Sequence, residues 1–104
     1  RDNFLYMKEK KIEIIRNKVD QIDRQIIQLI IHRLELAEEI GKIKLFSNKK
    51  IFDEKREKKI INRLYNDFKG FIKKDEIRSL FVQIYKISRK RQIESNKSFE
   101  KGDS

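Results

Sequence analysis

Polar side chains occupy positions in this sequence where the helical pattern requires apolar ones. In the first helical segment apolar residues recur at steps of three and four, but the seam position between Leu29 and Leu36 is Arg33. A buried arginine is costly unless an anion pairs with it. Lys44 follows eleven residues later, which is three helical turns, so it faces the same way to within about 20°. The pattern therefore predicts an anion beside Arg33, with Lys44 on the same face.

Two later segments also carry polar groups on faces that should be buried. Asp53, Arg56 and Glu57 have the spacing i, i+3 and i+4, which places them on one face of a helix. Ser88 and Gln92 are four residues apart and extend an apolar stripe on the next segment. Together the three segments provide cations, one or two acids and neutral hydrogen-bonding groups. That set suits a small polyanion that carries a hydroxyl group.

Arg16 cannot serve the same site from the same straight helix. It precedes Arg33 by 17 residues, which is about 25 Å along the helix axis and a rotation of roughly 100°. If both arginines hold one small ligand, Arg16 must come from another copy of the chain.

The elements that must position these residues are helices. The pattern predicts a long helix over about residues 11–45 and two shorter ones over about 53–68 and 74–93, and hence an all-α fold with three helices per chain. The long helix would expose its apolar seam unless a partner chain or long helices of its own chain cover it. The seam consists of Ile12, Ile15, Val19, Ile22, Ile26, Leu29, Leu36, Ile40 and Ile43.

Helix boundaries follow from local chemistry. Asp53 is a natural N-cap for the second helix, and Lys69-Gly70 is a natural stop. The polar residues 1–10 are interpreted as an N-terminal extension, residues 11–93 as the helical domain and residues 94–104 as a polar, frayed tail.

Composition removes several classes of function. The 104 residues include no cysteine and one histidine, which argues against a disulfide framework, a thiolate metal site or a multi-histidine zinc site. No apolar run approaches the roughly 18 residues of a membrane span, and no signal peptide is recognised, so a cytoplasmic setting is expected. The net charge of +10 favours an anionic partner of some kind.

Four motifs in order resemble the all-helical chorismate mutases over residues 12–92. They are R-x6-D from Arg16, R-x-E-L-A-x-x-I-G-x-x-K from Arg33, D-x-x-R-E from Asp53, and S-x-x-x-Q from Ser88. No single element is distinctive, but all four with this spacing are specific. The resemblance implies an intertwined homodimer built on paired long helices. It also implies the rearrangement of chorismate to prephenate with no cofactor, no metal and no covalent intermediate.

The resemblance also implies a role for each matching residue. Arg16 would reach across the dimer to a substrate carboxylate in the partner's site, and Arg33 would hold a carboxylate from its own chain. Lys44 and Gln92 would bracket the ether oxygen, and Glu57 would bind the ring hydroxyl.

Three more positions complete the site that the resemblance implies. Asp53 or its backbone would assist at the ring hydroxyl, Ser88 would assist at the ring carboxylate, and Arg56 would complete the positive lining. The loop before Ile51 often carries proline in relatives, whereas this sequence has Lys49-Lys50, so the placement of Asp53 is less firmly defined.

Each residue also has a structural interpretation, and two other functions stay open. Asp53 taken alone is an N-cap, and the arginines and lysines taken alone are surface cations. An isochorismate-pyruvate lyase of the same fold would bind a similar dianion. A basic helical module that binds nucleic acid or an acidic helix is the alternative from another class. Its lysine clusters are scattered, however, and it lacks aromatic stacking platforms. His32 is predicted to be an exposed flank, and Tyr65, Tyr85 and Phe71 are predicted to be packing residues.

Overall fold

The computed structural model of the protein describes residues 2–47 and 52–102, and the chain is helical throughout these ranges apart from short turns. Three helices follow one another: α1 (Asp2–Phe46), α2 (Glu54–Phe68) and α3 (Lys74–Gly102). The predicted all-α fold with one long and two shorter helices is confirmed. The Lys49-Lys50 pair, on which the less firmly defined placement of Asp53 was based, lies outside the described residues. No helix in the described ranges is long and apolar enough to cross a membrane.

The chain divides into two compact units, Arg1–His32 and Arg33–Ser104. In the first unit the predicted apolar seam of α1 is open to solvent, with its six side chains from Ile12 to Leu29 between 48% and 69% exposed. His32 is exposed, as predicted. The seam is therefore an apolar surface that the single chain leaves uncovered. An isolated helix gains little stability unless such a face is buried.

Helix α1 begins at Asp2, nine residues before the predicted start at residue 11. The sequence of this first part contains no proline or glycine that would end a helix. Side chains one turn apart also support it, since the Lys8 ammonium lies 4.4 Å from the ring centroid of Phe4 and that of Lys10 lies 5.6 Å from that of Tyr6. Such contacts between residues i and i+4 stabilise a helix surface.

Helix α2 begins and ends where its capping residues predict. Asp53 is the N-cap, and its side-chain oxygen accepts a hydrogen bond of 3.0 Å from the main-chain N–H of Arg56. At the other end, Gly70 has a φ of +93°, a left-handed conformation that glycine adopts without steric penalty. The short turn that follows leads directly into α3.

Helix α3 continues to Gly102, nine residues beyond the predicted end at residue 93. Its N-terminus is capped from within, because a Glu76 carboxylate oxygen accepts a 2.9 Å hydrogen bond from the main-chain N–H of Lys73. The predicted frayed tail is wrong over residues 94–102. Packing continues past the predicted end, since Asn96 is only 7% exposed, and no proline or internal glycine breaks the helix.

The core of the second unit is small and lies between α2 and α3. It is centred on Ile61, Ile77 and Tyr85, against which five partly buried residues pack: Ile60, Leu64, Tyr65, Ile72 and Phe81. Tyr65 and Tyr85 therefore are packing residues, as predicted. Phe71 is not, because it is 92% exposed in the turn while its neighbour Ile72 packs against the core.

Candidate active site

One pocket in the second unit gathers polar side chains from all three helices. It encloses about 110 Å³. Seven of the eight predicted site residues line it: Arg33, Lys44, Asp53, Arg56, Glu57, Ser88 and Gln92. The rest of its lining is Ala37, Ile40, Ile60, Tyr85 and Arg89. Polar residues that interrupt separate helical stripes in the sequence are thus brought to a common cavity.

Helix α1 places Arg33 and Lys44 on the pocket wall, both partly buried. The guanidinium of Arg33 lies 5.3 Å from the ring centroid of Tyr85 and 5.8 Å from that of Phe81. These two rings of α3 are themselves tilted against each other with centroids 5.8 Å apart. Stacking on aromatic faces restricts a guanidinium without using its N–H donors, so Arg33 keeps donors for an anion in the pocket.

Helix α2 contributes its first turn. The Asp53 carboxylate lines the pocket and also caps the helix by accepting a hydrogen bond from the Arg56 main-chain N–H. The interpretation of Asp53 as an N-cap is therefore confirmed. Arg56 also lines the pocket, with an exposed side chain. Glu57 follows in the same turn and is partly buried.

Glu57 forms an ion pair that the sequence reasoning did not foresee. The Nη1 atom of Arg89 on α3 lies 3.4 Å from Oε1 and 3.3 Å from Oε2 of Glu57. Burial raises the pKa of the Glu57 carboxyl above its ordinary value, an effect that the positive charges of Arg89 and Arg33 oppose. Asp53 and Glu54 add to the increase through charge repulsion.

Helix α3 supplies two buried hydrogen-bonding side chains, Ser88 at 6% and Gln92 at 8% exposure. The Nε2 atom of Gln92 donates a hydrogen bond of 2.8 Å to the main-chain oxygen of Ala37 and lies 3.5 Å from Ser88 Oγ. Gly41 makes this close approach of α3 to α1 feasible, because a Cβ at that position would lie 3.1 Å from Gln92 Cγ. A buried amide is thereby fixed at the pocket wall.

The pocket has a positive balance of charge. Its lining includes four cations, Arg33, Lys44, Arg56 and Arg89, and two carboxylates, Asp53 and Glu57. With all six ionised, four positive and two negative charges leave a net charge of +2. An environment of this kind, built from charged donors with a buried amide, complements a small dianion.

Five residues of the lining were not predicted as site residues, and two of them, Arg89 and Tyr85, carry polar side-chain groups. Arg89 belongs to the basic run 89–91, and such a run indicates a solvated charge cluster. Nothing in the sequence reveals that Arg89 contacts a carboxylate on another helix. Tyr85 was interpreted as packing only. A usable signal was present, since Tyr85, Ser88, Arg89 and Gln92 are spaced i, i+3, i+4 and i+7, as residues on one helical face are.

Arg16 is the predicted site residue that the pocket lacks. It belongs to the unit Arg1–His32, its side chain is exposed, and the pocket lining of the second unit does not include it.

Comparison with known proteins identifies the family. The family model for chorismate mutase type II matches residues 15–93. A chorismate mutase from Methanocaldococcus jannaschii is 32% identical over 93 residues, which is 88% of this chain and 86% of the relative. Among solved structures, form II of chorismate mutase from Thermus thermophilus aligns with a TM-score of 0.75 and 30% identity, over 79% of this chain and 93% of that one.

A longer relative matches only in part. The bifunctional chorismate mutase/prephenate dehydratase of Escherichia coli strain K12 is 36% identical over 56 residues, or 54% of this chain. The match spans 14% of the length of that relative. The family resemblance predicted from the four motifs is confirmed by the family model and by the two relatives that this chain covers almost completely. The chain belongs to the chorismate mutase type II family.

Proposed function

We propose that this chain catalyses the intramolecular Claisen rearrangement of chorismate to prephenate, a step of aromatic amino acid biosynthesis, in the cytoplasm. The observation that carries the proposal is the convergence of Lys44, Gln92, Arg33 and Glu57 on one pocket whose ionised lining has a net charge of +2. Chorismate is a dianion with a ring hydroxyl and an enolpyruvyl ether, and family membership supports its choice as substrate.

The reaction needs no nucleophile and no proton transfer. The ether C–O bond breaks while a new C–C bond forms within the same molecule, so atoms and electrons balance without a co-reactant. Partial negative charge grows on the ether oxygen as its bond to carbon breaks. Fixed cations and N–H donors at that oxygen stabilise the transition state more than the ground state. Holding the chain in a chair-like shape removes orientational entropy before the reaction.

Lys44 and Gln92 are the groups we assign to the ether oxygen. The ammonium of Lys44 carries a full charge, and the Gln92 amide offers N–H donors from a buried position. The Ala37 carbonyl supports this role, because it accepts only from the NH2 side of the amide and so fixes which end of Gln92 is the donor. A donor oriented before the substrate arrives needs no reorganisation during the reaction.

The other side chains are assigned to substrate positioning. Arg33 would hold a substrate carboxylate, with its guanidinium restrained by the rings of α3. Glu57, assisted by Asp53, would accept a hydrogen bond from the ring hydroxyl. Ser88 would assist at the ring carboxylate, and the nearby Arg56 would increase the positive potential. These roles follow from the family resemblance and agree with where each side chain lies.

A homodimer would complete the site. The apolar seam of α1 is exposed in the single chain, which favours burial against a second copy. We propose an intertwined dimer in which Arg16 of each chain reaches the other chain's pocket. Residues 11–93 would form the mutase domain. The partner that this arrangement requires is another copy of the same chain, with no nucleic acid or membrane involved.

The activity is tested by incubating the purified chain with chorismate and following the loss of chorismate absorbance together with the formation of prephenate. Isochorismate serves as the competing substrate and duplex DNA as the competing partner. Turnover of chorismate well above that of isochorismate supports the proposal. Preferred release of pyruvate from isochorismate would reassign the chain to the lyase of the same fold. Steeply salt-dependent DNA binding without turnover would favour the binding module.

The assembly is tested by mixing two inactive variants, Arg16→Ala and Lys44→Ala. If Arg16 acts across the dimer, each mixed dimer contains one site with both residues intact and one with neither. Random exchange of subunits should then restore about one quarter of wild-type activity, since half of the dimers are mixed and half of their sites are complete. If Arg16 acts within its own chain, every site lacks one residue and the mixture stays inactive.

A further inference from the structure

Arg89 is the pocket cation to which the proposed function gives no role. It follows Ser88 directly on α3, its side chain is 31% exposed, and it lines the same pocket as Lys44. Its Nη1 atom lies within 3.4 Å of both carboxylate oxygens of Glu57. The ion pair therefore joins α3 to the first turn of α2 at the pocket.

A second contact restrains the same guanidinium. The Arg89 guanidinium carbon lies 4.5 Å from the ring centroid of Phe52, the residue that immediately precedes the N-cap Asp53. A carboxylate at the guanidinium edge and an aromatic ring against it leave the group little freedom. Arg89 thus reaches Glu57 from a fixed position and not as a loose surface side chain.

The geometry leaves Glu57 free to bind something else. A carboxylate has about four lone-pair positions, and one N–H group bridging both oxygens occupies only part of them. The Glu57 side chain is 23% exposed and lies on the pocket wall, so its remaining lone pairs have access to the cavity.

We propose that Arg89 is a positioning residue, which clamps the Glu57 carboxylate so that its free lone pairs accept the ring hydroxyl of the substrate. This inference rests on the proposed function. Arg89 also favours the ionised form of Glu57, whereas a protonated carboxyl would offer a donor where the hydroxyl needs an acceptor. Lys and Gln side chains lack a planar guanidinium that can stack on the Phe52 ring while one of its nitrogens contacts both oxygens.

Several charged groups surround Glu57, and they define the expected pH behaviour. Arg89 on α3 and Arg33 on α1 favour its ionised form, whereas burial, Asp53 and Glu54 favour the neutral form and raise the pKa of its carboxyl. Lys44 and Arg56 are the other basic side chains that line the same cavity. Because Arg89 is the strongest of the opposing charges, its removal should raise the pKa of Glu57 further.

The test compares Arg89→Met with Arg91→Met. Arg91 is a matched control because it lies on the same helix, pairs with Glu38 at 4.0 Å and is absent from the pocket lining. In Arg89→Met the low-pH limb of kcat/KM should move to higher pH by about one unit, since an opposite charge at this distance changes a carboxyl pKa by about one to three units. Arg91→Met should leave the limb unchanged, and Arg89→Lys should recover part of the shift.

A direct titration separates this inference from the proposed function. Carbon-13 NMR of the Glu57 carboxyl in the wild-type chain and in Arg89→Met reports its pKa without any turnover, and Arg89→Gln replaces the methionine variant if that one does not fold. A wild-type chain that fails to convert chorismate contradicts the proposed function. The positioning role is overturned if the wild type is active but the Arg89 variant (Arg89→Met, or Arg89→Gln in its place) has the same Glu57 pKa and the same low-pH limb as the wild type.

A double variant tests whether Arg89 acts through Glu57. In the Glu57→Gln background, Arg89→Met should cause no further shift of the pH limb and no more than a twofold change in kcat, because the group it positions is gone. Losses that multiply across the two variants would mean that Arg89 contacts the substrate itself, and that result would also overturn the proposal.

Discussion

Gln92 on α3 donates a hydrogen bond of 2.8 Å from its side-chain nitrogen to the main-chain oxygen of Ala37 on α1. The contact fixes the orientation of the amide, because a carbonyl oxygen accepts and cannot donate. Gly41, one turn further along α1, provides the space for it. A buried donor of the pocket is therefore positioned by the backbone of a neighbouring helix, independently of any bound substrate.

Replacing Gln92 by leucine should lower kcat by about two to three orders of magnitude, the effect expected when one fixed donor to a developing negative charge is lost. Leucine has a similar volume, so the circular dichroism spectrum and the oligomeric state should be unchanged. Steady-state kinetics with chorismate provide the measurement. A kcat within threefold of wild type would contradict the assignment of Gln92 to the ether oxygen.

Gly41→Ala should mainly lower activity, whereas Gly70→Ala should mainly lower stability. A methyl group at position 41 forces Gln92 to shift by a few tenths of an ångström, which should lower kcat/KM by about three- to tenfold while stability changes by less than about 1 kcal/mol. At position 70, where φ is +93° and space is open, alanine should cost about 1–2 kcal/mol of unfolding free energy. Activity should be unaffected there. Urea unfolding and kinetics on both variants distinguish the two effects.

Lys44→Ala should lower kcat by about two to three orders of magnitude, because the full charge assigned to the ether oxygen is removed. Lys42→Ala is the matched control. Lys42 lies on the same helix, is exposed and does not line the pocket, so its variant should retain wild-type kinetics. Equal activity of the two variants would show that Lys44 is an ordinary lysine of the last helical turn.

Much of this site was predictable because helical periodicity fixes side-chain directions within one helix. It placed Arg33 with Lys44, and Ser88 with Gln92, on common faces. It carries no information about which faces meet, so the contact between Arg89 and Glu57 was missed. It also gave no basis for the exposure of Phe71, which depends on the direction of the turn around Gly70. The end of α3 was missed because polar residues without a breaker permit a helix as readily as a tail.

Tyr85→Phe should leave stability unchanged or increase it by up to about 1 kcal/mol. The Tyr85 hydroxyl is buried and has no hydrogen-bond partner among the described residues, so its removal relieves a desolvation cost. The aromatic ring that stacks on Arg33 is retained, and substrate affinity should therefore persist. Urea unfolding checks the first expectation and KM the second. A loss above about 1 kcal/mol would indicate a partner for the hydroxyl.

The pH dependence of stability should oppose that of activity. The pKa of Glu57 is raised in the folded chain, so its favourable contribution to stability is complete below its unfolded pKa and is lost as pH rises through the folded pKa. Activity should rise over the same range, because the ionised form accepts the substrate hydroxyl. Urea unfolding of wild type and Glu57→Gln from about pH 4 to about pH 8 isolates this contribution. A difference that grows in favour of wild type with rising pH would contradict it.

The uninterrupted course of α3 to Gly102 affects the electrostatics of the whole pocket. A helix carries roughly half a negative charge on the free carbonyls of its last turn. If α3 ended at residue 93, those carbonyls would lie beside Gln92 and repel an anionic ligand. The nine residues from 94 to 102 move them about 14 Å along the axis, which exceeds the screening length in physiological salt. The final helical turns thus act as an electrostatic spacer beyond Gln92, the last residue of α3 in the described pocket lining.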